Sequence, residues 1–270
     1  MTPSSDSLFF TLAFVLYLAA LAAFLVRGLT RRDLFGGIGV AGLAIGAALQ
    51  TVALLMRWKL SGHLPLSMMH EYASVMSWMA AISLAILVAR TRRFEIGSYA
   101  TPLIIAIMAI ASLLPKEINR QLVPALQSYW LYIHVSMAAL SEGAFALSCA
   151  LAIVYLVKAR RSSTPVAELT RLDALNHRVI SLAYPLFTLG ALFAGAIWAY
   201  KAWGTFWSWD PKEVGSLIIW LFYTGYLHAR YQRGWRGRRA AILAIVGFAM
   251  VILSFVGNLF LGGQHAYGTE

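Results

Sequence analysis

Cysteine is almost absent from this 270-residue chain: Cys149 is the only one, and it sits inside an apolar run. That excludes a disulfide framework and a C-x-x-C pair, so the chain by itself is no dithiol oxidoreductase. Charge is scarce as well. Only 12% of the residues are charged against 60% hydrophobic, which excludes an ordinary soluble domain, whose apolar share is nearer half. Acids are the rarer sign, 11 against 22 Lys and Arg, giving a net charge of +11. Such a surplus can mark nucleic-acid binding, but here the basic residues fall in short loops between apolar runs, which is how a topology signal looks, and nucleic acid is excluded as a partner. A basic n-region is also missing. Met1 to Ser7 carries Asp6 as its one charge, so no cleavable signal is expected and the first apolar run is expected to stay as a helix.

What the chain has in quantity is membrane-length apolar sequence. Stretches able to cross a hydrocarbon core occur at 8–26, 34–56, 72–89, 98–114, 130–157, 179–200, 214–229 and 240–262. The expected fold is therefore an all-α integral membrane protein of eight transmembrane helices, a single polytopic domain over 1–270. Pro102 and Pro185 lie near the starts of the fourth and sixth stretches, where neighbouring groups can satisfy a freed carbonyl. The connections that follow spans one, three, five and seven hold 16 of the 22 basic residues, among them Arg31, Arg32, Arg92, Arg93, Arg160, Arg161, Arg236 and Arg239. The intervening ones hold only Arg57, Lys59, Lys116, Arg120, Lys201 and Lys212. By the positive-inside rule the first set is cytoplasmic, and both termini and the loop at 201–213 face outward. A short amphipathic surface helix is expected around Leu169, Leu172 and Leu175. Gly42 and Gly46 fit a small-xxx-small packing stripe.

That outward loop reads Trp-Gly-Thr-Phe-Trp-Ser-Trp-Asp-Pro-Lys-Glu at 203–213. Broad aromatic faces suit a flat, amphipathic ligand at the bilayer interface. An aromatic belt is the plain alternative, but belts scatter Trp and Tyr over many helix ends, whereas Trp198, Tyr200, Trp203, Phe206, Trp207 and Trp209 crowd one connection. Asp210 and Glu213 are placed to cap the next helix, with Pro211 in its first turn, and a ligand contact by Asp210 is an equal alternative. Topology sorts the six histidines. His134, at the outer end of span five, and His265, after span eight, flank the side that carries the Trp loop, an arrangement suited to bis-imidazole ligation of an iron porphyrin. His228 lies about 22 Å from Glu213 along span seven, at 1.5 Å per residue, and so belongs to a separate inner site or snorkels to the inner interface. Glu142, mid-span, is read as a hydrogen-bonded structural acid.

These features together resemble the CcsA (ResC) family of system II cytochrome c biogenesis, heme-handling proteins with a Trp-rich WWD motif. The likeness rests on Ser-Gly-His-Leu-Pro-Leu-Ser at 61–67 with Glu71, on residues 126–135 ending in His134, on the Trp loop, and on Tyr-Leu-His-Ala-Arg at 226–230. It extends through Gly-Trp-Arg-Gly-Arg-Arg at 234–239 and Gly-Gln-His-Ala-Tyr-Gly at 263–268. The resemblance implies that His134 and His265 are axial ligands of heme b held on Trp203, Trp207, Trp209 and Asp210, and that His228 serves a transmembrane heme site whose opposing ligand comes from a CcsB (ResB) partner. It implies that heme is presented at the outer face, most simply of a bacterial inner membrane, for covalent attachment to an apocytochrome c carrying C-x-x-C-H. The chain would then be a component of a cytochrome c synthase with no nucleophile or general base of its own. His70 departs from the family, which carries Tyr before the acid. The Asp-Pro-Lys-Glu ending is closer to CcsA than to CcmC, the shorter sibling that loads heme onto a chaperone, and the chain lacks the length of CcmF. CcmC-like delivery is the nearest alternative, and a small-solute transporter is a rival of another class.

Overall fold

The computed structural model describes residues 5–118, 120–261 and 263–264. Among the described residues all regular structure is helical and no strand occurs. The helices are α1 (Ser5–Thr30), α2 (Asp33–Ser61), α3 (Met69–Thr91), α4 (Phe94–Leu113), α5 (Tyr129–Ala159), α6 (Val166–Phe187), α7 (Gly195–Trp203), α8 (Pro211–Tyr231) and α9 (Arg238–Phe260). A 3-10 turn, Pro124–Leu126, precedes α5, and a π-helical turn, Thr188–Ala194, joins α6 to α7. Each of the eight expected stretches falls on a helix. Among the described residues seven helical runs are long and apolar enough to cross a membrane, and the chain is an integral membrane protein. The one left out is α8, which has 21 residues but whose Gly215, Ser216, Tyr223, Thr224, Gly225, Tyr226 and His228 dilute its apolar content. No separate surface helix forms at 169–175. With no Gly or Pro between 166 and 184 to stop it, α6 runs on without a break, and the sixth apolar run is continuous from Val166 to Trp203.

The chain divides into two compact units, residues 1–121 and 122–270. In the first, α1 packs along α2 through small residues. Gly42 lies against Ala20, and a Cβ at Gly46 would sit 2.6 Å from the Tyr17 ring, so only glycine admits the aromatic there. The core polar groups are paired: the Tyr17 hydroxyl donates to Gln50 Oε1 at 2.8 Å, and Gln50 Nε2 donates to Ser74 O and Ser77 Oγ, both at 3.0 Å. Three helices are thereby tied through one amide, a bond set that apolar surroundings make costly to break. Buried Arg57, near the end of α2, donates to Glu71 Oε1 at 2.7 Å, Asp6 Oδ2 at 3.3 Å, Lys116 O at 3.2 Å and Glu117 O at 2.8 Å. One guanidinium joins the start of α1, the end of α2, the start of α3 and the segment after α4.

In the second unit α5 is central and packs against α6, α7, α9 and the π-helical turn. Ser128 caps it, its hydroxyl accepting from Trp130 N–H at 3.3 Å. Buried in its core, Phe145 stacks on Tyr223 of α8 with ring centres 3.7 Å apart. Ser148 donates to Asn176 Oδ1 of α6 at 2.7 Å. At the other end of α8, Arg230 makes a two-pronged ion pair with Asp173, at 2.8 and 2.7 Å, and Asp173 Oδ1 also accepts from Gly237 N–H at 2.9 Å ahead of α9. Planar guanidinium against carboxylate in this geometry fixes α6, α8 and the turn into α9 together.

Candidate functional site

The site is built where the π-helical turn meets α5. A π turn widens the ladder to i→i+5, here with Gly195 N–H donating to Gly190 O, and such turns concentrate at functional positions. The same Gly190 carbonyl takes the His134 Nδ1–H at 2.9 Å. A carbonyl can only accept, so Nδ1 of His134 carries a proton; in the neutral imidazole this leaves the lone pair on Nε2, the arrangement seen in metal-binding imidazoles whose second nitrogen is held by the protein. The imidazole lies parallel to the indole of Trp198, with centres 5.9 Å apart and planes 4° from each other. Trp198 is itself fixed, its Nε1–H donating to Ala125 O at 2.8 Å, and its ring meets Trp203 edge-on at 4.8 Å. From the other side, Trp220 Nε1–H of α8 donates to Thr188 Oγ1 at 3.1 Å, while the Thr188 hydroxyl donates to Tyr184 O at 2.8 Å.

Beyond Trp203 the helix stops at Gly204, which takes φ +80° and closes on Tyr200 O. The loop that follows displays rings. Tyr200 stacks on Phe206 at 4.4 Å, Trp207 meets Trp209 edge-on at 5.7 Å, and Trp209 is 70% exposed. Trp209 also holds φ +61°, a left-handed conformation that a bulky residue adopts only under constraint. The constraint is the capping of α8: Glu213 Oε2 accepts from Ser208 N–H at 2.7 Å, Ser208 Oγ at 3.1 Å and Asp210 N–H at 3.2 Å. Asp210 is buried, and both its oxygens are engaged. Oδ1 accepts from Lys212 N–H at 3.0 Å and Oδ2 from Gln264 N–H at 2.6 Å. A Cβ on Gly263 would collide with that second oxygen. Asp210 thus caps α8 and holds the chain at 263–264. Burial pushes the half-buried Lys212 ammonium down to about 8, against the opposing pull of Asp210.

His134, Trp198 and Trp203 are therefore brought together, and Trp207 with Trp209. His265 lies outside the described residues. His228 is exposed near the end of α8, on one stripe with the exposed Ile218, Leu221 and Gly225, and the same continuous helix carries Glu213 at its start. His70 belongs to the first unit, buried, with Nδ1–H donating to Ala111 O at 2.7 Å. Sequence reasoning passed over Trp198 as the partner of His134, the glycine pair at 190 and 195, and Trp220. Two glycines five apart beside Trp198 were the available signal.

The family model described as Cytochrome C assembly protein matches residues 54–265. The chain is 38% identical to the cytochrome c biogenesis protein CcsA of Guillardia theta over 258 residues, covering 86% of this chain and 85% of that one. This chain belongs to the CcsA family. CcsA of Synechococcus elongatus is 37% identical over 285 residues, covering 86% of this chain and 87% of its own length, and CcsA of Chlamydomonas reinhardtii is 38% identical over 241 residues, covering 84% and 67%. Among solved structures, a cytochrome c heme lyase CcmF superposes with a TM-score of 0.71 at 17% identity. The match covers 95% of this chain and spans half of that one, and it shows a shared fold.

Proposed function

We propose that this chain acts in cytochrome c biogenesis as the heme-handling component of a cytochrome c synthase, presenting heme b at the outer membrane face for covalent attachment to apocytochrome c. The observation that carries this reading is His134, held through Nδ1–H by the Gly190 carbonyl and stacked on Trp198, whose ring in turn meets Trp203 at the start of the aromatic loop. An imidazole with Nδ1–H held by a carbonyl directs its Nε2 lone pair outward as a ligand, and indoles supply apolar area for the porphyrin. His134 and His265 serve as the two axial ligands, Trp203, Trp207 and Trp209 line the ring, and Asp210 acts by holding the segment that leads to His265. His228, about 22 Å from Glu213 along α8, serves an inner site completed by a CcsB-type partner against the exposed stripe of that helix. In this reading α8 is an eighth crossing whose Gly215, Tyr223 and Tyr226 are buried against its neighbours, and the basic loops lie on the cytoplasmic side of a bacterial inner membrane with both termini and the Trp loop outward. The two thiols of a C-x-x-C-H segment add across the porphyrin vinyls, each S–H giving its proton to one vinyl carbon as the sulfur bonds to the other. Positioning supplies the acceleration.

The test is the isolated protein. It should be red, with a low-spin Soret band, and His134→Ala should lose most of that heme while imidazole in the medium restores part of it. A colourless wild-type protein that retains its fold would return the transporter reading, and a His134→Ala protein with a full low-spin spectrum would remove His134 from the ligand set.

A further inference from the structure

We propose that the π-helical turn Thr188–Ala194 is the device that sets His134 as a ligand, with Gly190 and Gly195 as positioning residues; this rests on the reading of His134 as an axial ligand. In a regular α-helix a backbone carbonyl points along the axis and is closed by the N–H four residues on. The i→i+5 bond from Gly195 to Gly190 widens this turn, and the Gly190 carbonyl takes a side-chain donor as well, His134 Nδ1–H at 2.9 Å. The approach needs bare backbone at two places. A Cβ at 195 would stand 2.9 Å from His134 Nδ1 and 3.0 Å from its Cε1, and a Cβ at 190 would overlap that of Met137, one turn along α5 from His134.

The two glycines therefore meet one face of α5 at residues 134 and 137, and neither tolerates a side chain without moving the imidazole or the helix that carries it. Three residues after Gly195, Trp198 closes the flank of the imidazole with a parallel ring, so tautomer and ring orientation are set by one short segment, 190–198. Trp220 of α8 donates to Thr188 at the start of the turn, tying the segment to a second helix. Packing alone would account for the glycines. It would not require the proton of His134 to sit on Nδ1, and that is where the inference can be tested.

The measurement is the ¹⁵N spectrum of heme-free, histidine-labelled protein, with His134 assigned by the signal that His134→Ala removes. The expected result is a neutral imidazole protonated at Nδ1. Gly195→Ala should move that proton toward Nε2 and weaken hemin binding about 10-fold or more, the cost typical of losing a group that orients a metal ligand. It should also change the low-spin g-values of bound ferric heme. Gly37→Ala, in α2 where an added Cβ meets nothing within 4 Å, should leave tautomer, affinity and spectrum unchanged. If wild-type His134 carries its proton on Nε2, or if a folded Gly195→Ala protein binds hemin with unaltered affinity and spectrum, the positioning role is overturned. Should Gly195→Ala fail to fold, the wild-type tautomer decides alone. Failure of the underlying reading looks different: His134→Ala would then keep low-spin heme whatever the state of the turn.

Discussion

In the first unit, Glu71 Oε2 gathers the Ser67 N–H and hydroxyl, each at 3.0 Å, and the Met68 N–H at 3.1 Å, opening α3. In the second, Glu213 Oε2 gathers the Ser208 N–H and hydroxyl and the Asp210 N–H, opening α8 in the same way. Both acids occupy the third helical position and reach back over the preceding loop, which satisfies donors that a helix start leaves over. The difference lies in the other oxygen. Glu71 Oε1 is taken by Arg57, which also holds Asp6, while Glu213 Oε1, buried, has no hydrogen-bond partner among the described residues. One corner is a closed ionic node with its side chains turned inward. The other uses the same scaffold to hold the Trp207–Trp209 pair, of which the strained Trp209 is mostly exposed. The cap sets the loop geometry in both cases, and what surrounds the acid decides whether the loop is structural or displays a surface.

Four substitutions would break or sharpen that contrast. The largest effect belongs to Arg57→Ala, which leaves Glu71 and Asp6 as buried charges without their cation and should cost about 3–5 kcal/mol of stability in detergent. A thermal or denaturant melt shows it, and a loss below about 1 kcal/mol would mean that the node is hydrated rather than closed. Next come the two acids compared directly. Glu71→Gln should cost about 1–3 kcal/mol by weakening the bond to Arg57, whereas Glu213→Gln, whose amide oxygen can keep the three donors, should cost less than about 1 kcal/mol. Equal losses would erase the distinction between the corners. The smallest change in stability is expected from Trp209→Gly. Glycine relieves the left-handed backbone and removes an indole that is mostly exposed, so the melt should move by no more than about 1 kcal/mol either way. Heme occupancy of the isolated protein should nevertheless fall, and unchanged occupancy would return Trp209 to the role of interfacial anchor.

Much of the scaffold was legible because apolar length is a one-dimensional property. A run of 17 to 25 apolar residues is helical wherever the backbone has no water to bond, and all eight expected stretches lie on helices. The capping of α8 by Asp210, Pro211 and Glu213 was legible for the same reason, since caps act over three or four neighbours. The start of α6 was misjudged because the polar stretch before residue 179 was read as a separate surface helix, whereas nothing in its sequence stops the helix that runs on from Val166. Arg57 was counted as an outer loop charge, and its burial among Asp6, Glu71 and two carbonyls depends on residues up to 60 positions away.

Composition, apolar runs and the clustering of Trp and His by themselves determined a membrane-embedded helical protein and picked out His134 and the Trp loop as candidates. Only the tertiary structure decided which nitrogen of His134 bears the proton, because that follows from a carbonyl 56 residues away in a turn whose extra width no local propensity encodes. It also decided that Asp210 holds the chain near residue 264, a bond between segments 54 residues apart. Hydrogen bonds of this kind are short in space and long in sequence, so the residues name the possible donors and acceptors while the packing of α5 against the π-helical turn selects the pair.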